Sequence, residues 1–219
     1  MTRDEVVNTI LIKIDEISPF QEPDEQFTLL IDGLLDDAAN SFLRLIPLHL
    51  VRGIEQTLST ATLNTSPDIN YYTSHDLGVW DIPANANFLR MTRCVCEQWE
   101  RPVVGVIPVT DTQYEKEFNR FTASGNSKPK IYDDTSSNRR FILAPYHHNS
   151  SKNDIKLYYI PSIPRSDRAT SGNQQYGIPE EILDAFFYYA ASYVLTSMQR
   201  NDYATMMTNK FAETITNRQ

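Results

Sequence analysis

Residues 77–108, LGVWDIPANANFLRMTRCVCEQWERPVVGVIP, decide the fold, because they read as β-strands in a chain whose two ends carry helical patterns. Gly78 to Pro83 is a short aromatic and β-branched run closed by proline, which cannot donate to a sheet ladder. After the turn-rich Ala84-Asn85-Ala86-Asn87, strict alternation places Phe88, Arg90, Thr92, Cys94 and Cys96 on one face and Leu89, Met91, Arg93 and Val95 on the other. Val103 to Pro108 is β-branched, too short for a helix and flanked by prolines, so it reads as a buried strand.

Toward the C-terminus, Thr110-Asp111-Thr112 supplies a cap for a short helix through Phe121, with Tyr114, Phe118 and Phe121 on one side. Three further strands are expected at Pro129 to Tyr132, Arg139 to Tyr146 and Ile155 to Ile160, separated by Ser/Asn-rich turns. Connections of about ten residues favour an antiparallel meander or sandwich over parallel crossovers, which need a dozen or more. The polar stretch from Pro161 to Gly177 has no apolar period and reads as a linker or clamping loop. Pro179, Glu180 and Glu181 then open a helix that is apolar almost all round, from Ile182 through Phe186, Phe187 and Tyr189 to Val194. Asn201-Asp202 breaks or bends it before a last helix carrying Tyr203, Met206, Met207, Phe211 and Ile215.

Toward the N-terminus, Asn64 to Asp76 has the Asn, Thr, Ser and Pro content of a loop. Ahead of it, Thr2 and Glu5 have the spacing of a capping box, followed by Val6, Val7, Ile10, Leu11, Ile14 and Ile17 at helical intervals. A second helix is expected from about Asp24 to Ile46, with Asp36 and Asp37 facing away from its apolar stripe. Pro47 interrupts, and Leu48 to Leu63 is expected to continue helically. The organisation is α+β: N-terminal helices over residues 1–63, an inserted antiparallel β module over 77–161, and C-terminal helices over 179–219 packing on the N-terminal ones into one joint bundle.

With 219 residues and 41% hydrophobic content, the chain has enough apolar mass for one large domain or two small ones. It has no run of about 18 apolar residues and no basic-then-apolar leader, so a soluble, intracellular protein without a membrane partner is expected. Cys94 and Cys96 would sit about 7 Å apart on one strand face, badly placed to bond to each other, and are expected as buried thiols. A net charge of −8 opposes gripping the DNA backbone, while leaving DNA free to pass.

Few constellations carry chemistry. His147-His148 with Cys94-x-Cys96 lacks the Cys spacing of structural zinc, and adjacent strand histidines point to opposite faces, so no metal site is expected. Asp36-Asp37 and Glu180-Glu181 read as solvated faces, since helix neighbours diverge by roughly 100°. There is no P-loop, dinucleotide fingerprint, nucleophile elbow or H-E-x-x-H, so no catalytic residue and no cofactor is assigned. Lys128, Lys130, Arg139 and Arg140 form a local basic cluster and Arg165 with Arg168 a second; these are the candidate subunit or partner interface residues.

The order of features resembles the head-to-tail adaptor, or connector ring, proteins of short-tailed bacteriophages, and most closely those of crAss-like phages. The resemblance rests on Leu34 to Asn40 (LLDDAAN), Leu43-Arg44-Leu45-Ile46-Pro47, Ile82-Pro83 ahead of Phe88-Leu89-Arg90, Trp99-Glu100-Arg101-Pro102-Val103, Tyr114 to Asn119, Lys128-Pro129, and a C-terminal helix rich in Ala and Tyr. It spans nearly the whole chain as an ordered pattern, and departs from the family at the Asn-rich Ala84 to Asn87. It implies a non-enzymatic virion protein made in the cytoplasm of a host bacterium: a homo-oligomeric ring of about twelve copies, contacting the portal and other tail or ring proteins, with DNA passing through its lumen without sequence-specific binding. A reading from another class is a β-sandwich binding module, for instance for a carbohydrate, using Tyr71, Tyr72, Trp80 and Trp99; a third is an enzyme with an unrecognised site.

Overall fold

A computed structural model describes residues 2–15, 25–59, 70–72, 76–83, 86–119, 121–134, 140–147, 154–163 and 178–217. The architecture is α+β, and the chain divides into a helical unit of residues 1–54 and 162–219 and a β unit of residues 55–161.

In the helical unit, α1 (Arg3–Asp15) starts on the expected capping box: the Thr2 amide donates to Glu5 Oε2 at 2.8 Å and the Glu5 amide to Thr2 Oγ1 at 3.3 Å. Its buried side chains, Val6, Val7, Ile10 and Ile14, recur every three or four residues and form one stripe. Helix α2 (Glu25–Leu45) buries Ile31, Leu35, Ala38, Ala39, Phe42 and Leu43. Both pack on α4 (Leu183–Ser197), as does α5 (Asn201–Thr216). Neighbours on three sides explain why α4 is apolar almost all round. Phe42 of α2 marks the centre, with ring centroids 5.4 Å from Phe186, 5.7 Å from Tyr189 and 6.0 Å from Phe211.

Two helical expectations are corrected. Asp36 does not face solvent: it is 7% exposed and accepts from Arg3 Nη1 at 2.7 Å, while the same guanidinium bonds the Asp32 carboxylate and, at 2.6 Å, the Asp32 carbonyl. One arginine at the start of α1 thus ties down a turn of α2. The segment after Pro47 does not continue helically to Leu63 either. It makes two short 3₁₀ turns, Leu48–Leu50 and Arg52–Ile54, and then enters the sheet as β1 (Gln56–Ser59). Pairing of Gln56 to Ser59 with β8 (Ile155–Pro161) overrides weak local helical preference.

The β unit contains a three-stranded sheet, β1-β8-β4, and a five-stranded sheet, β2-β3-β7-β6-β5. The remaining strands are β2 (Asn70–Tyr72), β3 (Leu77–Asp81), β4 (Phe88–Cys96), β5 (Ile107–Pro108), β6 (Lys130–Asp134) and β7 (Arg140–Ala144). All pairings are antiparallel except β5 with β6, which is parallel. One core lies between the sheets, where Met91, Cys94, Cys96, Ile155 and Leu157 of the smaller meet Trp80, Ile131, Phe141 and Leu143 of the larger. The opposite face of the larger sheet, carrying Leu77, Val79, Tyr132, Ile142 and Ala144, is covered by Ile107, Val109 and Tyr114. Burial on both faces accounts for the unbroken apolar run Phe141-Ile142-Leu143-Ala144.

Strict alternation fails in β4. Register shifts lie between Phe88 and Arg90 and between Met91 and Arg93, and each extra residue turns the following side chains over. The core-facing set becomes Phe88, Met91, Cys94 and Cys96, so Met91 joins the cysteines instead of opposing them. The segment Val103 to Pro108 is not a buried strand. Val103 makes a single bridge to Cys94, Gly105 adopts φ +90°, and Val104 is 66% exposed before the chain reaches β5. The positive φ at Gly105 breaks the extended path that a β-branched run otherwise favours.

Candidate functional site

The basic residues near 130 and 140 do not form one cluster. In the antiparallel β6–β7 pair, Lys130 lies opposite Ala144 and Arg140 opposite Asp134, which puts the two cations at opposite ends of the ladder, about 13 Å apart along the strand. Arg140 serves as a cross-strand tie. Its Nε donates to Asp81 Oδ1 at 2.7 Å on β3, and its Nη1 lies 4.0 Å from Asp134 Oδ2 on β6. Lys128 is exposed in the turn before β6, where its amide donates to the Gly125 carbonyl at 2.8 Å. Arg139, Arg165 and Arg168 lie outside the described residues.

Lys130 belongs to a polar centre that the sequence did not announce. Glu117, 3% exposed, follows the short helix α3 (Thr112–Glu115), which Asp111 caps by accepting from the Gln113 amide at 2.8 Å. Its carboxylate accepts from Tyr132 Oη at 2.6 Å, the Ser124 amide at 2.6 Å, Ser124 Oγ at 2.7 Å and Lys130 Nζ at 3.2 Å. Burial pushes the Glu117 carboxyl up, but the donors from Tyr132, Ser124 and Lys130 outweigh it and hold the group below the usual carboxylate range. The Tyr132 hydroxyl is pushed up, by burial first and by its bond to Glu117 second. Three donors meet Oε1 and the Ser124 amide meets Oε2, so the arrangement fastens the 112–128 segment to the sheet.

Beside this centre an open groove of about 390 Å³ runs between residues 101–107 and 129–131. Its walls are mainly Pro102, Val103, Val104, Val106, Pro129 and Ile131, with Arg101 and Lys130 as the charged lining. Sequence reading missed it because the groove depends on the turn at Gly105, which a β-branched run with prolines conceals.

Cys94 and Cys96 are buried free thiols, as expected. Burial, reinforced by Cys96, pushes the Cys94 thiol up; Cys96 is pushed up to about 11, again chiefly by burial. His147 is engaged elsewhere: its amide donates to Gln98 Oε1 at 2.8 Å, and its Nδ1 lies 3.2 Å from Asp76 Oδ1. The aromatic platform offered for a binding module loses two members, since Trp80 is fully buried and Trp99 is 7% exposed with its Nε1 donating to the Pro145 carbonyl at 2.8 Å. The side chains of Tyr71 and Tyr72 lie outside the described residues.

The helical unit carries a different kind of surface. Ile12 on α1, Leu29 and Leu45 on α2, and Met206 on α5 are 61%, 53%, 63% and 49% exposed. No described helix is long and apolar enough to cross a membrane. No protein-family model matches the chain, and no curated protein matches it.

Proposed function

We propose that this chain is a structural subunit of a head-to-tail connector ring, placed beneath the portal of a short-tailed bacteriophage and forming part of the conduit through which DNA leaves the capsid. The observation that carries the reading is the set of large apolar side chains left at the surface of three helices of one unit, Ile12, Leu29, Leu45 and Met206. On α2, Leu29 and Leu30 lie off the face of buried Ile31, Leu35 and Phe42, and Leu45 is exposed at the helix end; a subunit with close neighbours would cover such side chains. The ordered sequence resemblance supplies the kind of assembly. A net charge of −8 suits a conduit wall past which DNA slides.

Light scattering of the purified chain with and without its portal protein tests this. The expected result is a complex holding many copies of the chain per portal ring. A chain that stays monomeric in the presence of portal contradicts the reading. The binding-module alternative is weaker, because Trp80 and Trp99 are committed to the core between the sheets.

A further inference from the structure

The outward face of the three-stranded sheet carries charge of one sign. Met91, Cys94, Cys96, Ile155 and Leu157 face the core, so the residues between them turn the other way. Cross-strand register sets Ser59, Lys156 and Val95 in one row of the outward face and Thr57, Tyr158 and Arg93 in the next, with Arg90 beyond them opposite Ile160. Strands β1, β8 and β4 together contain Arg90, Arg93 and Lys156 and no Asp or Glu; the acids next in sequence, Glu55, Glu97 and Asp154, stand past the strand ends. Arg90 is half-buried, but Arg93 and Lys156 are exposed, and their side chains have no hydrogen bond or ion pair among the described residues. The Arg93 guanidinium lies over the Tyr158 ring, 4.0 Å from its centroid. That contact holds the guanidinium in place and leaves its N–H donors for a carboxylate, so less freedom is lost on binding.

Two such cations neutralise too few phosphates to hold nucleic acid, and a Tyr158 ring covered on one side by Arg93 is no open platform for a base. The chain itself presents the complement. Residues 178–199 contain Glu180, Glu181 and Asp184 and no lysine, arginine or histidine. These acids stand in the 3₁₀ turn that leads into α4 and in the first turn of α4, where spacings of three and four residues make them neighbours. All three are exposed, and their side chains have no hydrogen bond or ion pair among the described residues. The general repulsion between two chains of net charge −8 is screened beyond about 8 Å at physiological salt, so facing patches of opposite sign decide the contact.

We infer that the outward face of the β1-β8-β4 sheet binds the acidic start of α4 on a second copy of this chain, with Arg93 and Lys156 pairing with Glu180, Glu181 and Asp184. The inference rests on the ring reading for its partner, and it gives that ring the two unlike patches that head-to-tail contact requires.

The test uses the full chain in sedimentation equilibrium at physiological salt. The wild type should associate with rising concentration, and R93E/K156E and E180K/E181K should each weaken association at least about tenfold, equivalent to 1.4 kcal/mol. Every substituted side chain is exposed, so the folded structure should be retained in circular dichroism; K156E alone is the second variant should R93E disturb Tyr158. An equimolar mixture of the two double variants should regain association, because each supplies the patch that the other lacks. Acids that serve only the dipole of α4 would give no such rescue. A wild-type chain that stays monomeric up to high micromolar concentration overturns the inference, as does association that ignores these substitutions or a mixture that regains nothing. A connector ring whose subunits leave this sheet face uncovered sinks the inference alone, whereas patch-dependent association of a protein absent from virions sinks the ring reading alone.

Discussion

Glu117 shows how much one buried side chain can hold. Its carboxylate collects donors from β6 and from the loop at Ser124, so Glu117→Ala removes the acceptor of Lys130 and Ser124 and leaves Tyr132 Oη only the Gln113 carbonyl at 3.2 Å, and a loss of about 3 kcal/mol is expected in chemical denaturation. Because its folded pKa lies below the unfolded value, this contribution is present above about pH 4.5 and disappears as pH falls through the folded value; the variant should therefore lose less stability on acidification than the wild type. The cysteines have the opposite sign. Folding raises both thiols, so their contribution is present below about pH 8.5 and is lost as pH rises toward the value of about 11 for Cys96. C94S/C96S should be about 1–3 kcal/mol less stable at neutral pH, and the gap to wild type should narrow at pH 10. Burial of the cysteines was legible from their place in a strand. Glu117 was not, since its acceptor role depends on Tyr132, which only the β5–β6 pairing brings back to it.

Among the elements, those with a strong period were readable and those made by their neighbours were not. The capping box, the α1 stripe, the all-round apolar α4 and strands β3, β6, β7 and β8 follow from residue pattern. Strand β1 follows from its partner β8, and the two irregularities of β4 follow from register with the same strand. Gly78 was read only as part of a strand, yet its lack of a side chain is required: a Cβ there would stand 2.7 Å from Tyr146 Cδ1 and 2.8 Å from Cγ, inside the core between the sheets. Gly78→Ala must push the ring aside, and a cost of about 1–3 kcal/mol is expected, measured as a lowered melting temperature with secondary structure retained.

At the scale of the molecule, the pairing of N- and C-terminal helices was legible because neither set could bury its apolar stripe alone, and the helical unit does join α1 and α2 to α4 and α5. The boundary falls at residue 54 rather than 63, because β1 belongs to the β unit. Residues 55–161, contiguous and with their own core, should fold alone with a cooperative thermal transition, whereas residues 1–63 expressed alone should show none; a transition in 1–63 matching the intact chain would contradict the joint bundle. What the chain assembles into was not legible from composition or periodicity, because contacts between molecules leave no period in the sequence of one chain. Averaged electron imaging of the virion's portal vertex measures this directly. The result expected is a closed ring of about twelve copies beneath the portal, each fitting the helical unit and the β unit as separate bodies around a DNA-wide lumen. A vertex whose every ring is built from other chains, with this protein absent from purified virions, would contradict it.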